Sequence, residues 1–306
     1  FLGTGRLLSL ALDYSQKRTT FRLGIAEPYI FGRNLTGRAG LFNERVTQDT
    51  VSINKTGFDF GISFEAAQDY YHKVGYELSQ SKTTENSTNA SSITGENGAQ
   101  ILTSAASYIV GQDRLNNRFD PSDGTLLELR QELAGIGGDA KFYKLTGRAA
   151  YYRPVNFSTF IFGVKGRASQ VFGLGGKITQ SQRFFLGGRD LRGFGLGGIG
   201  PRDTGSNAAI GGNSLVTGSF EVVSRLGLSK DLNMRWTAYS DFGSVWDTDY
   251  PNGVTGANDK SIRSSVGIGL LWDTVVGPLS FYWANPVSKK SYDKTKTFQF
   301  TIGTRL

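Results

Sequence analysis

The stretch Ile262-Arg263-Ser264-Ser265-Val266-Gly267-Ile268-Gly269-Leu270-Leu271-Trp272 decides the fold class. Ile262, Val266, Ile268, Leu270 and Trp272 share the even positions with Ser264, while the odd positions hold Arg263, Ser265, Gly267, Gly269 and Leu271. Successive side chains of a strand point to opposite faces, so this is a strand with one apolar wall and one small, polar wall. The same pattern recurs along the chain. Phe58, Phe60, Ile62 and Phe64 alternate with Gly57, Asp59, Gly61, Ser63 and Glu65. Leu8, Leu10, Leu12 and Tyr14 alternate with Ser9, Ala11 and Asp13. Near the end, Phe298, Phe300, Ile302 and Leu306 alternate with Thr297, Gln299, Thr301, Gly303 and Arg305.

Extending the count gives about fourteen candidate strands and no amphipathic helix of ordinary length. They fall near 4–15, 18–27, 36–47, 53–66, 69–81, 101–112, 124–135, 140–153, 156–172, 214–227, 232–246, 261–273, 277–287 and 297–305. Their connections alternate between short ones (27–34, 66–68, 154–155, 227–231, 274–276) and long polar ones (81–100, 173–213, 246–260, 288–295). Short turns at one end and long loops at the other are the pattern of a transmembrane antiparallel β-barrel. In hydrocarbon every backbone N–H and C=O must be paired internally, which leaves only helices or closed barrels. A soluble β-sandwich also alternates, but it does not segregate its long loops to one end. A spanning helix needs roughly 18 consecutive apolar residues. The best run here, from Val266 to Trp272, is far shorter and holds two glycines.

Composition excludes most covalent chemistry. The 306 residues carry no cysteine and one histidine, His72, which rules out thiolate nucleophiles and leaves little for a metal site or a serine triad. No nucleophile–base pair is legible, so the sequence predicts a non-enzymatic protein with no cofactor and no metal. His72, among Tyr70, Tyr71 and Tyr76, reads as a strand or interface residue. The net charge is +8, but the lysines and arginines are scattered, which suits acidic lipid headgroups and not nucleic acid. Asn86-Ser87-Thr88 reads as ordinary polar loop. Abundant glycine beside 12% aromatics reads as two faces of one wall, Phe, Tyr and Trp toward lipid and small residues toward the lumen.

The connection 173–213, GLGGKITQSQRFFLGGRDLRGFGLGGIGPRDTGSNAAIGGN, is too long for an ordinary loop, and its Phe184, Phe185, Leu186, Leu191, Phe194 and Ile199 can pack inside a barrel. Its Gly195-Leu196-Gly197-Gly198-Ile199-Gly200 has dinucleotide-motif spacing, but Pro201 follows where a helix is needed, so that reading is rejected. In the next strand Val216, Phe220, Val222 and Leu226 form the apolar face, which turns Glu221 inward with Thr217, Ser219 and Arg225. In the one after, Met234, Trp236, Ala238 and Phe242 point outward, which turns Asp241 inward with Arg235, Thr237 and Tyr239. Two acids thus face the lumen beside a loop carrying Arg189, Arg192 and Arg202. Spacing leaves two readings open: charges solvated in a water-filled lumen, or a loop arginine folded in to bridge Glu221 and Asp241. A glycosidase-like carboxylate pair finds no sugar-binding aromatic cleft to support it.

Arg183-Phe184-Phe185-Leu186-Gly187-Gly188 followed by Leu191-Arg192-Gly193-Phe194 resembles the Val/Ile-Arg-Gly-Phe/Tyr loop of the BamA-like outer-membrane assembly-factor superfamily. Further segments agree: Gly211-Gly212-Asn213 leading to Ser219-Phe220-Glu221, Asp241-Phe242-Gly243-Ser244-Val245-Trp246, Gly277-Pro278-Leu279-Ser280-Phe281 and Phe298-Gln299-Phe300-Thr301-Ile302-Gly303. Phe1-Leu2-Gly3-Thr4-Gly5, Glu27-Pro28-Tyr29 and Asp120-Pro121-Ser122-Asp123-Gly124 fit as well. The loop's wording is most similar to α-proteobacterial members.

The resemblance covers the whole chain and implies an integral outer-membrane barrel of 16 strands following periplasmic POTRA domains. It implies that Arg192, within the motif Leu191, Arg192, Gly193 and Phe194, projects into the lumen to meet Glu221 and Asp241. It also implies a lateral seam closed by strand 297–305, with Phe298, Phe300, Ile302 and a kink at Gly303. Expected partners are nascent outer-membrane β-barrel proteins, outer-membrane lipids and lipopolysaccharide, and accessory assembly lipoproteins through the POTRA domains. The expected activity is folding and inserting barrel proteins; a TamA-like or two-partner-secretion translocation barrel and a passive porin are the alternatives. With about fourteen strands legible and Phe1–Gly5 similar to the turn before the family's third strand, residues 1–306 are expected to be a C-terminal barrel domain lacking the POTRA domains and first two strands. Two departures stand out: Leu306 replaces a terminal aromatic, and Asp273-Thr274-Val275-Val276 replaces the Ser-Pro before Gly277.

Overall fold

A computed structural model describes residues 5–15, 17–48, 51–85, 94–118, 120–155, 159–226, 234–250, 252–274 and 277–303. Within them fourteen antiparallel strands close into one barrel, each paired with its sequence neighbours. They are β1 (Leu7–Ser15), β2 (Arg18–Glu27), β3 (Thr36–Gln48), β4 (Val51–Ala67), β5 (Tyr70–Glu85), β6 (Gln100–Asp113) and β7 (Gly124–Ala134). There follow β8 (Phe142–Pro154), β9 (Ile161–Gly173), β10 (Ser214–Arg225), β11 (Met234–Trp246), β12 (Arg263–Thr274), β13 (Gly277–Ser288) and β14 (Phe298–Gly303). Phe1–Thr4, Asn86-Ser87-Thr88, Val275-Val276, Arg305 and Leu306 lie outside the described residues, as does the whole 227–231 turn.

The period-two pattern becomes wall geometry. Val266 and Ile268 are 45% and 61% exposed on the outside of β12, while Arg263 and Ser265 on the alternate face are buried. Phe58, Phe60, Ile62 and Phe64 continue the exposed apolar wall on β4. Such a surface is a liability in water and is the lipid-facing band of a membrane barrel, whose closed ladders satisfy the strand backbones. The long connections 86–99, 174–213, 247–262 and 289–297 all leave the barrel at one end, because each follows an odd-numbered strand.

Strand ends differ from the pattern where tertiary contacts override alternation. The ninth strand starts at Ile161 and not near 156, because Val155 and Phe160 close a turn by a backbone hydrogen bond. Strands 53–66 and 69–81 lengthen to Val51–Ala67 and Tyr70–Glu85, whose ladder pairs Val51 with Glu85. The division of aromatics to lipid is also corrected. Phe42, Tyr71, Phe142 and Tyr152 are buried, and Phe42 lies under Arg22 and Lys55 at 4.9 and 5.6 Å. Inward cations make the inner wall a favourable place for a ring face.

The 174–213 connection turns back into the barrel instead of projecting from it. Its Leu186, Leu191, Phe194 and Ile199 pack with Leu215 of β10 and Val245 of β11 into a buried apolar cluster edged by Phe184. Each such side chain contributes about 1.5–3 kcal/mol on burial, which holds the loop inside before any polar contact is counted. Two short antiparallel ribbons stitch it to neighbouring loops: Gly193–Phe194 with Thr295–Lys296, and Arg202–Asp203 with Val254–Thr255. The ring closes where β1 meets β14, over three residue pairs among the described residues, Asp13–Gly303, Tyr14–Ile302 and Ser15–Thr301.

Candidate functional site

The inner faces of β10, β11 and β12 bring Ser219, Asp241 and Ser265 into one register row, because Asp241 lies opposite both serines. Arg192 of the lumen loop docks across that row. Its Nε and Nη2 donate to the two carboxylate oxygens of Asp241, each at 2.7 Å, and its backbone N–H donates to Oδ2 at 3.0 Å. Nη2 also donates to Ser219 Oγ at 3.1 Å, and Ser219 donates in turn to Asp241 Oδ1 at 2.7 Å. Ser265 Oγ donates to the Arg192 carbonyl. Arg192 is 5% exposed and Asp241 1%, so a buried charge pair is met by a bidentate fork and a complete hydrogen-bond set.

The next two inward rows supply the ring faces, Tyr239 opposite Gly267 and Tyr282 opposite Gly269. The Arg192 guanidinium carbon lies 3.3 Å from the Tyr239 ring centroid and 5.0 Å from that of Tyr282. Those rings fit because the wall beneath them is glycine. A Cβ at Gly267 would stand 2.5 Å from Tyr239 Oη, and one at Gly269 would stand 2.6 Å from Tyr282 Cδ1. Gly193 follows the arginine with φ +93°, a backbone conformation that L side chains rarely adopt, and a Cβ there would meet Ala284 and Ser265 at 3.2 Å.

Glu221 does not share the arginine equally. It stands 4.0 Å from Arg192, with Lys165 of β9 closer at 3.0 Å. The other loop arginines go elsewhere. Arg189 lies 3.5 Å from Asp13, and Arg202, fully buried, donates to the carbonyls of Gly197 and Asn207. Residues 1–306 match the Omp85 superfamily domain over their whole length.

The chain belongs to the Omp85 superfamily.

Outer membrane protein assembly factor BamA of the α-proteobacterium Neorickettsia risticii (strain Illinois) is 29% identical over 305 residues, covering 98% of this chain and 41% of that protein. BamA of Neisseria meningitidis serogroup B is 25% identical over 352 residues, covering 99% of this chain and 43% of that protein. The crystal structure of BamA from Haemophilus ducreyi lacking POTRA domains 1–3 is similar with a TM-score of 0.80 at 25% identity, over 99% of this chain and 65% of that one. The chain therefore spans about two fifths of the length of the curated relatives it matches. As an Omp85 barrel it is an integral outer-membrane protein.

The remaining sequence-predicted positions lie around the Omp85 loop. Leu191 and Phe194 are fully buried in the apolar cluster. Phe298, Phe300 and Ile302 alternate along β14, and Gly303 pairs with Asp13 at the closing junction. His72 sits on the outer wall, stacked on Phe64 with ring centroids 5.2 Å apart and bonded through Nδ1 to Tyr108 Oη at 2.7 Å.

A second buried arginine–carboxylate centre was missed by sequence reasoning. Arg263, 1% exposed, lies 3.0 Å from Asp293 and 3.2 Å from Asp259, and donates to Tyr292 Oη at 2.8 Å. Burial raises the Asp259 carboxyl pKa, but hydrogen bonds from Ser261 and Tyr292 and the charge of Arg263 outweigh it and hold the group well below the usual carboxylate range. The inward position of Arg263 in an otherwise small-residue face, with Asp259 four residues before it, was the available signal; Asp293 and Tyr292, about thirty residues away, left none. On the opposite side, Glu96 accepts the Gln180 N–H at 2.9 Å, and burial pushes its carboxyl pKa up against that bond and the Arg183 charge.

Proposed function

We propose that this barrel is the membrane domain of an outer-membrane protein insertase, which folds client β-barrel proteins and inserts them sideways along the edge of its last strand, β14. The observation that carries the reading is the contrast between a lumen plugged by its own loop and a last strand held by short ladders. The loop packed on Arg192 and its apolar cluster turns into the interior beside a cavity of about 830 Å³, whereas among the described residues β14 pairs with β13 over five residue pairs and with β1 over three, against nine between β1 and β2. A short ladder parts at low cost. Parting exposes the N–H and C=O edge of β14, with Phe298, Phe300 and Ile302 on its lipid side. An unpaired edge templates the addition of another strand.

The work is physical and not covalent: the barrel offers a strand edge and thins the bilayer beside it, lowering the barrier to insertion. The assembly-factor relatives, matched over 98% and 99% of this chain, support the same reading. Their greater length supports residues 1–306 as the barrel domain of a longer chain, whose POTRA domains receive accessory lipoproteins. Outer-membrane lipids and lipopolysaccharide contact the apolar wall.

The test is reconstitution of the full-length protein into vesicles with a urea-unfolded client barrel, folding being followed as the heat-modifiable band. The expected result is acceleration by at least about tenfold over empty vesicles, which is about 1.4 kcal/mol of barrier. Client folding no faster than in empty vesicles, together with steady ion conductance, overturns the reading in favour of a porin.

A further inference from the structure

The loop that carries Arg192 is tied to the last strand of the barrel by a set of contacts that packing of the loop does not require. Immediately after Arg192, Gly193 and Phe194 pair antiparallel with Lys296 and Thr295, the residues that lead into β14. Beyond that ribbon, the Gly195 N–H donates to the Lys294 carbonyl at 3.0 Å, and the Lys294 N–H donates to the Gly198 carbonyl at 2.8 Å. The last link enters β14 itself. Gln299, on the inward face of that strand, donates from Nε2 to the Phe194 carbonyl at 2.8 Å.

Strand β12 serves both ends of this connection. Ser265 holds the Arg192 carbonyl, and two residues earlier Arg263 holds Asp293 and Tyr292 in the 289–297 connection. Asp293 also accepts the Lys290 N–H at 2.7 Å, which fixes the turn before Lys294. Displacing Arg192 from Asp241 pulls on Phe194, two residues along the chain, and moving Phe194 withdraws the acceptor of Gln299. The neighbouring ladder cannot compensate fully, because β13 pairs with β14 over five residue pairs, from Leu279–Ile302 to Trp283–Phe298.

We infer that Gln299 is a positioning residue that transmits the docked state of the lumen loop to β14, so that the edge of the last strand loosens when Arg192 leaves Asp241. This rests on the reading of β14 as the closing strand of a lateral gate. It assigns the loop a task beyond filling the lumen: it sets how firmly the templating edge is held.

The experiment is amide hydrogen exchange of β14 in the full-length protein in vesicles, without a client. Gln299→Met keeps the side-chain length and removes the donor; losing one hydrogen bond raises exchange across Phe298–Gly303 by about fivefold and leaves β11 unchanged. Gln299→Glu sets a carboxylate against the Phe194 carbonyl and raises it further. Arg192→Lys keeps the charge but loses the fork, and it raises β14 exchange in an otherwise unaltered chain. In the Gln299→Met background the same substitution adds less than about twofold, the limit within which independent sites simply sum. Unchanged β14 exchange in both Gln299 variants, or effects of the Arg192 and Gln299 changes that multiply, overturns the proposal. Because no client is present, the two readings fail separately. Exchange that responds while clients fold no faster keeps the coupling and removes the insertase; accelerated folding with unresponsive exchange does the reverse.

Discussion

Asp241→Ala removes the acceptor on which the lumen loop turns. The carboxylate takes four hydrogen bonds, from Arg192 Nε, Nη2 and backbone N–H and from Ser219 Oγ. Without it the Arg192 guanidinium keeps Ser219, the Tyr239 and Tyr282 rings, and Glu221 at 4.0 Å. Removing one partner of a buried charge pair costs about 3–5 kcal/mol. At about 1.4 kcal/mol per tenfold, the docked-to-undocked ratio of the loop falls by roughly 10²–10⁴. The barrel itself persists, since no ladder hydrogen bond is touched. Limited trypsin digestion with mass spectrometry reads this out, because cleavage after Arg192 requires a side chain that is 5% exposed when docked, and cleavage in this regime tracks the open population. Glu221→Gln is the internal control. Its carboxylate is already met by Lys165, so the change costs about 1 kcal/mol or less and raises cleavage less than tenfold. Wild-type cleavage after Arg192 in Asp241→Ala, or equal effects of the two substitutions, refutes the geometry argued here.

Four further outcomes are expected. Gly267→Ala drives a Cβ to 2.3 Å from the Trp283 carbonyl oxygen and 2.5 Å from Tyr239 Oη, costing about 1–3 kcal/mol and lowering the unfolding temperature of the heat-modifiable band. Gly147→Ala, with no atom within 4 Å, stays within about 1 kcal/mol of the parent. Arg263→Met leaves Asp293, whose side chain has no exposed surface, as an unpaired buried charge; the 289–297 connection opens by about 3–5 kcal/mol and becomes cleavable after Lys290 and Lys294. Burial, with the hydrogen bond to Asp259, pushes the Tyr292 phenol up to about 12 from 10.0. A raised phenol stabilises the fold fully below pH 10 and loses that contribution as pH rises through about 12. Tyrosinate absorbance should show late-titrating phenols, and Tyr292→Phe should lower their amplitude by one phenol.

Much of the wall was legible because one physical constraint acts on every strand alike. With lipid outside and a lumen inside, Ile262–Trp272 must alternate, and so must Ser214–Arg225 and Met234–Trp246, which is enough to turn Glu221 and Asp241 inward. Choosing between those acids was beyond spacing. It depends on cross-strand register: Asp241 lies between Ser219 and Ser265, which complete the arginine's bonds, whereas a lysine on β9 reaches Glu221 first. The ring cradle was hidden for a related reason. Tyr239 was placed inward by alternation, but only Gly267 on the neighbouring strand shows why it can lie flat under a guanidinium. Arg263 and Asp293 come from segments with no shared period, so no local pattern joins them.

The barrel's 306 residues hold no cysteine, so with any cysteine outside them replaced the most direct test of strand templating is open. Single cysteines placed in turn at Phe298, Gln299, Phe300 and Thr301 of the full-length protein are oxidised against single cysteines along the terminal strand of a client arrested during assembly. The account predicts disulfides in one antiparallel register, each step along β14 matched by an opposite step along the client. Disulfides scattered over all combinations, or none while the client still assembles, would contradict it.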